Sequence, residues 1–216
     1  MDHTYPQLVV AVLALLLVNK PALGADCFVD DFNRPDSSTV GNGWLEATGE
    51  NAAIRNGEAT VSTTGHIGIY RPQGAYPVTV TARLKERNST GCLLRRHDHS
   101  IRIHSDGLQH HGYGIHIRRS DEQTADSGID LWDGQFLPVG YRPASFQFGP
   151  ELDVSVTFKA DGSVAGTVSQ PGASFEFSFG PHVVQNNDGE NVSFYSEWAP
   201  TDCTTPTFPR LDDISI

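Results

Sequence analysis

Between residues 27 and 216 the sequence is a succession of short runs in which apolar and polar residues alternate, divided by turn-forming residues. Successive side chains of a strand point to opposite faces, so this alternation marks half-buried strands. The runs cover residues 27–32, 52–54, 58–61, 67–70, 78–84, 92–96, 113–118, 129–132, 152–158, 164–168, 175–179, 192–196 and 211–216. Between them stand Asn33-Arg34-Pro35-Asp36, Gly41-Asn42-Gly43 and Ala160-Asp161-Gly162-Ser163, all turn chemistry. Asn56-Gly57 between two apolar runs is a hairpin signal, because both residues tolerate positive φ. Outside residues 8–18 no window sustains a helical repeat. Many short strands with Gly-rich turns predict an all-β fold, a two-sheet antiparallel β-sandwich.

Residues 8–18 form an apolar run too short for a membrane span, which takes about 20 residues. Ala22 and Gly24 supply the small residues of a cleavage site, although residues 1–7 contain no Lys or Arg. The expectation is a signal peptide over 1–24, then one domain over 25–216, secreted and not inserted in a membrane. A formal net charge of −11 gives no broad attraction to nucleic acid. The arginines Arg95, Arg96, Arg118 and Arg119 are accordingly read as partners of acids such as Asp121, Glu122 and Asp130. Of the three cysteines, Cys27 and Cys203 lie near the ends of the expected domain. Exported chains pair their cysteines, so a Cys27–Cys203 disulfide is expected, worth up to about 5 kcal/mol. Cys92 is then a small buried hydrophobe.

The most informative stretch is 92–134. Parity turns Tyr113, Ile115 and Ile117 to a core and leaves His116 and Arg118 facing outward, beside Asp130 and Trp132 if the runs pair. With Arg95, these five residues form the candidate carbohydrate-binding face: an indole to stack on a sugar ring, with charged groups to fix hydroxyls. The same row is also what a solvated sheet face looks like. Trp44 is read as core, Trp198 as either, and Tyr141 as a loop aromatic. Six of the nine histidines fall in this stretch: His97, His99, His104, His110, His111 and His116. His97 and His99 have chelating spacing, but no spacing here matches a closed zinc site, and 97–111 is read as a polar loop. Asn88-Ser89-Thr90 and Asn191-Val192-Ser193 match the glycosylation pattern.

The order of Phe28-Val29-Asp30-Asp31-Phe32, Gly43-Trp44, Ile54-Arg55-Asn56-Gly57-Glu58-Ala59, Gly112-Tyr113-Gly114-Ile115-His116-Ile117, Ile129-Asp130-Leu131-Trp132-Asp133-Gly134 and Leu211-Asp212-Asp213-Ile214 resembles concanavalin A-like (laminin-G-type) jelly-roll domains. The resemblance implies a jelly roll over nearly all of 25–216. That superfamily includes lectins, carbohydrate-binding and adhesion modules, glycoside hydrolases and polysaccharide lyases, and fold alone does not choose. The Glu-x-Asp-x-Glu run of its laminarinases is absent; Glu151-Leu152-Asp153 and Glu197 are what remains. Arg95, His116 and Tyr113 are the residue types of a lyase, but Tyr113 should face the core. Similar modules often hold structural calcium. If the first and last strands are neighbours, Asp30, Asp31, Asp212 and Asp213 converge on an oxygen cage for Ca²⁺; alternatively these acids pair locally with Arg34 or Arg210. The sequence is thus read as a secreted, non-catalytic, lectin-like domain with a glycan partner. The alternatives are a polysaccharide-degrading enzyme on the same fold, or a structural or adhesive surface protein.

Overall fold

The computed structural model describes residues 27–47, 52–61, 67–86, 97–107, 111–119, 127–134, 138–185, 189–198 and 209–216. These residues hold fifteen strands and no helix. They form two antiparallel sheets packed face to face, as the alternation predicts. The back sheet runs β13 (Ala173–Phe179), β12 (Val164–Gln170), β11 (Glu151–Phe158), β6 (Val78–Glu86), β15 (Pro209–Ser215), β4 (Glu58–Val61), β3 (Ala52–Arg55), with β1 (Val29–Asp30) also paired to β15. The front sheet runs β10 (Pro138–Pro143), β9 (Gly128–Asp133), β8 (Tyr113–Arg119), β7 (His97–Ser105), β14 (Asn191–Trp198), β5 (Ile67–Pro72), β2 (Leu45–Glu46).

The core is the set of inward positions of both sheets. Ile101, Ile103, Tyr113, Ile115, Ile117, Ile129, Leu131 and Phe194 of the front sheet meet Val80, Leu84, Val154, Val156, Phe158, Val168 and Phe177 of the back sheet. Burying one such side chain stabilises the fold by about 1.5–3 kcal/mol. Phe177 lies over Gly166 on the neighbouring strand, where a Cβ would come within 2.7 Å of its ring. The Asn56-Gly57 hairpin forms as expected, with φ of 54° and 76° at the two turn residues and Ala52–Arg55 paired to Glu58–Val61.

Two strands depart from the sequence reading. Residues 97–105, read as a loop, are β7, an interior strand of the front sheet. Its inward Ile101 and Ile103 are flanked by an inward His99, whose Nδ1 is 2.6 Å from Ser196 Oγ inside the sandwich, and this polar position hides the alternation. Residues 138–143 are β10, an edge strand with a proline at each end, where a missing ladder donor costs little. There Arg142 Nε donates to Ser178 O at 3.0 Å, its guanidinium sits 4.7 Å from the Phe179 ring centroid, and Phe179 packs on Gly140. The edges of the two sheets are stitched together along β10 and β13.

The neighbouring of the first and last strands is observed: Val29 pairs with Ser215 and Asp30 with Ile214. Cys27 lies just before this pair, exposed and unpaired among the described residues; Cys92, Cys203 and residues 1–24 lie outside them.

Candidate functional site

The candidate face is built by the register of β8, β9 and β10. Gly114 stands opposite Trp132, His116 opposite Asp130, and Arg118 opposite Gly128, while Asp130 also pairs with Tyr141. Because Tyr113, Ile115, Ile117, Ile129 and Leu131 fill the core, the alternate residues His116, Arg118, Asp130 and Trp132 share the outer face of the front sheet, as expected. Asp130 Oδ2 accepts from Arg118 Nη2 at 2.6 Å and lies 3.9 Å from His116 Nδ1. The imidazole of His116 meets the Trp132 ring edge-on at 5.7 Å. On its other side the Arg118 guanidinium lies 5.3 Å from the Tyr141 ring centroid. Tyr141 itself lies across Gly128, where a Cβ would sit 2.7 Å from its ring. The sequence thus assigns Tyr141 to a loop, whereas it stands on β10 beside the site.

On β7, Ser100 stands opposite His116 and Arg102 opposite Gly114. Arg102 crosses the side-chain-free Gly114 and donates from Nη1 to Gly134 O at 2.9 Å and Gly112 O at 3.4 Å. Burial pushes its guanidinium down to about 10. Sequence reasoning did not find Arg102, because its strand was read as a loop.

One expectation about this face needs correction. The row is not open: His116 is 6% and Asp130 3% exposed, and Ser100 and Arg102 are buried as well. The groups that reach the surface are Arg118, Trp132 and Tyr141, each half-buried. Asp130 and His116 therefore stand behind Arg118 and Trp132, the groups nearer the surface. Arg95, the fifth expected member, lies outside the described residues.

The four aspartates expected to converge on calcium do not. Asp30 is buried and accepts from Arg34 Nη1 and Nη2, the Phe32 amide and Trp44 Nε1, at 2.7 to 3.1 Å. Burial alone would raise its carboxyl, but these donors outweigh that and hold it below the usual carboxylate value. Asp31 is exposed and caps the Asn33 amide. Asp212 pairs with Lys85 at 2.7 Å and Asp213 with Arg83 at 2.9 Å. The physical reason is local. Asp213 has φ of 47° and the β15–β6 register shifts between Asp212 and Ser215, so the acids turn onto the cations of β6. Each carboxylate is already answered, and the set does not fit a calcium cage. Among the described residues no group of three or more His, Cys, Asp or Glu is placed to hold a metal. The local ion pairs are the arrangement observed, with Arg210 bound to Glu58 instead of to these aspartates.

The carboxyl pair considered for hydrolysis lies elsewhere. Glu151 and Asp153 are exposed on the outer face of the back sheet, and Asp153 pairs with Arg83 at 2.8 Å. Tyr113 is buried in the core, as parity predicted, and donates to Gly162 O at 2.6 Å. Trp44 is also core.

A second titratable group went unnoticed in the sequence. At the end of the sandwich the buried Asp133 accepts from His182 Nε2 at 2.8 Å and from the Gln185 amide at 2.9 Å. The His182 ring stacks on Tyr113 at 5.6 Å, and Tyr76 Oη is hydrogen-bonded to His104 Nε2. Burial raises the Tyr76 phenol and lowers the His104 imidazole. The signal available was Asp133 itself, a carboxylate at a position where parity calls for a core residue.

No family model matches the sequence, and no curated protein matches it. Solved structures do. Lectin II from Ulex europaeus is 11% identical, with 88% of this chain and 97% of that chain covered and a TM-score of 0.61. The winged bean acidic lectin complexed with methyl-α-D-galactose is 8% identical, covering 88% and 97%, at 0.60. The exoplasmic/lumenal domain of VIP36, in a Ca²⁺/Man2-bound form, is 8% identical, covering 88% and 86%, at 0.60. The chain has the concanavalin A-like jelly-roll fold of these lectins.

Proposed function

We propose that the chain is a non-catalytic, lectin-like carbohydrate-binding domain, formed by residues 25–216 after removal of 1–24 and acting outside the cell or in the lumen of the secretory pathway. The observation that carries this is the joining of Arg118, Asp130, Trp132 and Tyr141 on one face of β8, β9 and β10, in a fold shared with sugar-complexed lectins. A half-buried indole held by the edge of His116 offers a platform for a pyranose ring. The Arg118 fork, fixed by Asp130 and Tyr141, offers directed donors to hydroxyls beside it. Asp30, Asp31, Asp212 and Asp213 are engaged elsewhere, so this binding does not depend on calcium held by them.

A glycan array compared between the wild type and Trp132→Ala tests the reading. Loss of the bound spots, with the melting temperature kept within a few degrees, is the expected result. Equal binding by both proteins removes Trp132 from the site. An arm with chelator is expected to leave the bound spots in place.

A second reading, a polysaccharide-degrading enzyme, is favoured by one arrangement. A histidine oriented by a buried carboxylate (His182–Asp133) lies near a Tyr–His pair (Tyr76–His104) at the end of the sandwich. Release of reducing ends or of unsaturated sugars from polysaccharides, abolished by His182→Ala, would establish it over the first.

A further inference from the structure

Carbohydrate hydroxyls both donate and accept, so a neutral sugar is matched by a site with both kinds of group. The outer face of β7 to β10 is not balanced in that way. Arg118 spends Nη2 on Asp130, and its buried Nε has no hydrogen-bond partner. Trp132 Nε1, a donor only, is buried without a partner. Arg102 adds a second cation, whose Nη1 donates to two backbone carbonyls. Asp130 is the one carboxylate among the described side chains of this face, and it already accepts from Arg118. Among the described side chains of this face two guanidiniums thus stand against one carboxylate, a surplus of positive charge.

From this surplus we infer that the ligand of the face is a glycan bearing oxyanions, carboxylate or sulfate groups, one of which lies against Arg118 beside Trp132. The inference rests on the carbohydrate-binding reading above. A carboxylate or sulfate, with two oxygens set side by side, takes paired N–H bonds from a guanidinium, and Arg118 is held in place for it by Asp130 and Tyr141. The selectivity is local. With a formal net charge of −11 the chain as a whole repels polyanions, so a preference for them reports a local patch of positive charge.

Calorimetric titration with matched polymers tests it. Polygalacturonate is compared with its full methyl ester, and dextran sulfate with dextran, so that only the charge changes within each pair. The charged member of at least one pair is expected to bind about tenfold tighter or better than its neutral twin. Which pair responds tells carboxylate from sulfate. Arg118→Lys keeps a cation beside the buried Asp130 but loses the fork, and about tenfold of that preference goes with it; Arg118→Gln removes the rest if it folds. Equal affinity for the charged and neutral members overturns the inference, and so does a charge preference that survives Arg118→Lys undiminished. If the glycan array is positive for neutral sugars alone, the lectin reading stands and the oxyanion falls. If the array is blank, both fall.

Discussion

The outer faces of the two sheets carry the same device in two settings. On the back sheet Arg83 meets Asp153 across β6 and β11 at 2.8 Å, with side chains 41% and 61% exposed. On the front sheet Arg118 meets Asp130 across β8 and β9 at 2.6 Å, with exposures of 34% and 4%. The residue types match and the geometry nearly does. What differs is the water around the carboxylate. In the first pair solvent screens both charges, and the bond contributes little beyond what water would give. In the second the carboxylate has left water, and it relies on Arg118 for its compensation. A cross-strand Arg–Asp pair is thus surface decoration or an organising element according to burial, and burial is the one property the alternation does not report.

The largest test of that difference is Arg118→Met. It is expected to cost about 3 kcal/mol in urea unfolding, because it strands a buried charge. Arg118→Met with Asp130→Leu should recover most of the loss; a double mutant no better than the single would show that packing, not charge, sets the cost. Next comes Asp30→Asn, at a pair built like the front one but far from the candidate site. Asp30 is 2% exposed and its partner Arg34 27%. A loss of about 2 kcal/mol is expected at neutral pH. Because the folded Asp30 carboxyl titrates below its unfolded value, its contribution is complete above about pH 4 and fades as the pH falls through the lower folded value. The wild type should lose stability below about pH 4, and Asp30→Asn should show a shallower acid slope. The smallest effect belongs to Arg83→Ala, within about 0.5 kcal/mol and vanishing at high salt. A cost there equal to that of Arg118→Met would end the distinction between the faces.

Much of the fold was legible because its signals are local. Asn56-Gly57 dictates its turn, and the alternation from Glu151 to Phe158 or from Tyr113 to Arg118 assigns each side chain to a face. The four described members of the candidate face followed from parity alone. What stayed hidden depends on partners distant in sequence. β7 was masked by His99, a polar residue facing inward to meet Ser196 from nearly a hundred positions away. β10 was masked by its two prolines, which an edge strand accommodates, and with it the place of Tyr141. The aspartate cluster failed at a bulge: neighbouring strands do not bring their acids together when one has a residue at positive φ. Burial of His116 and Asp130 on an outward face has no counterpart in the periodicity.

The stitched margin at β10 and β13 has a consequence for how this chain can meet others of its kind. A sheet ending in free amides and carbonyls invites a further ribbon to dock in register and so seeds fibres. Here Pro138 and Pro143 have no amide hydrogen to offer, and Arg142 already occupies the Ser178 carbonyl of the opposite sheet. Self-templated growth is blocked along that side, so a further copy would have to approach by another margin or by a face.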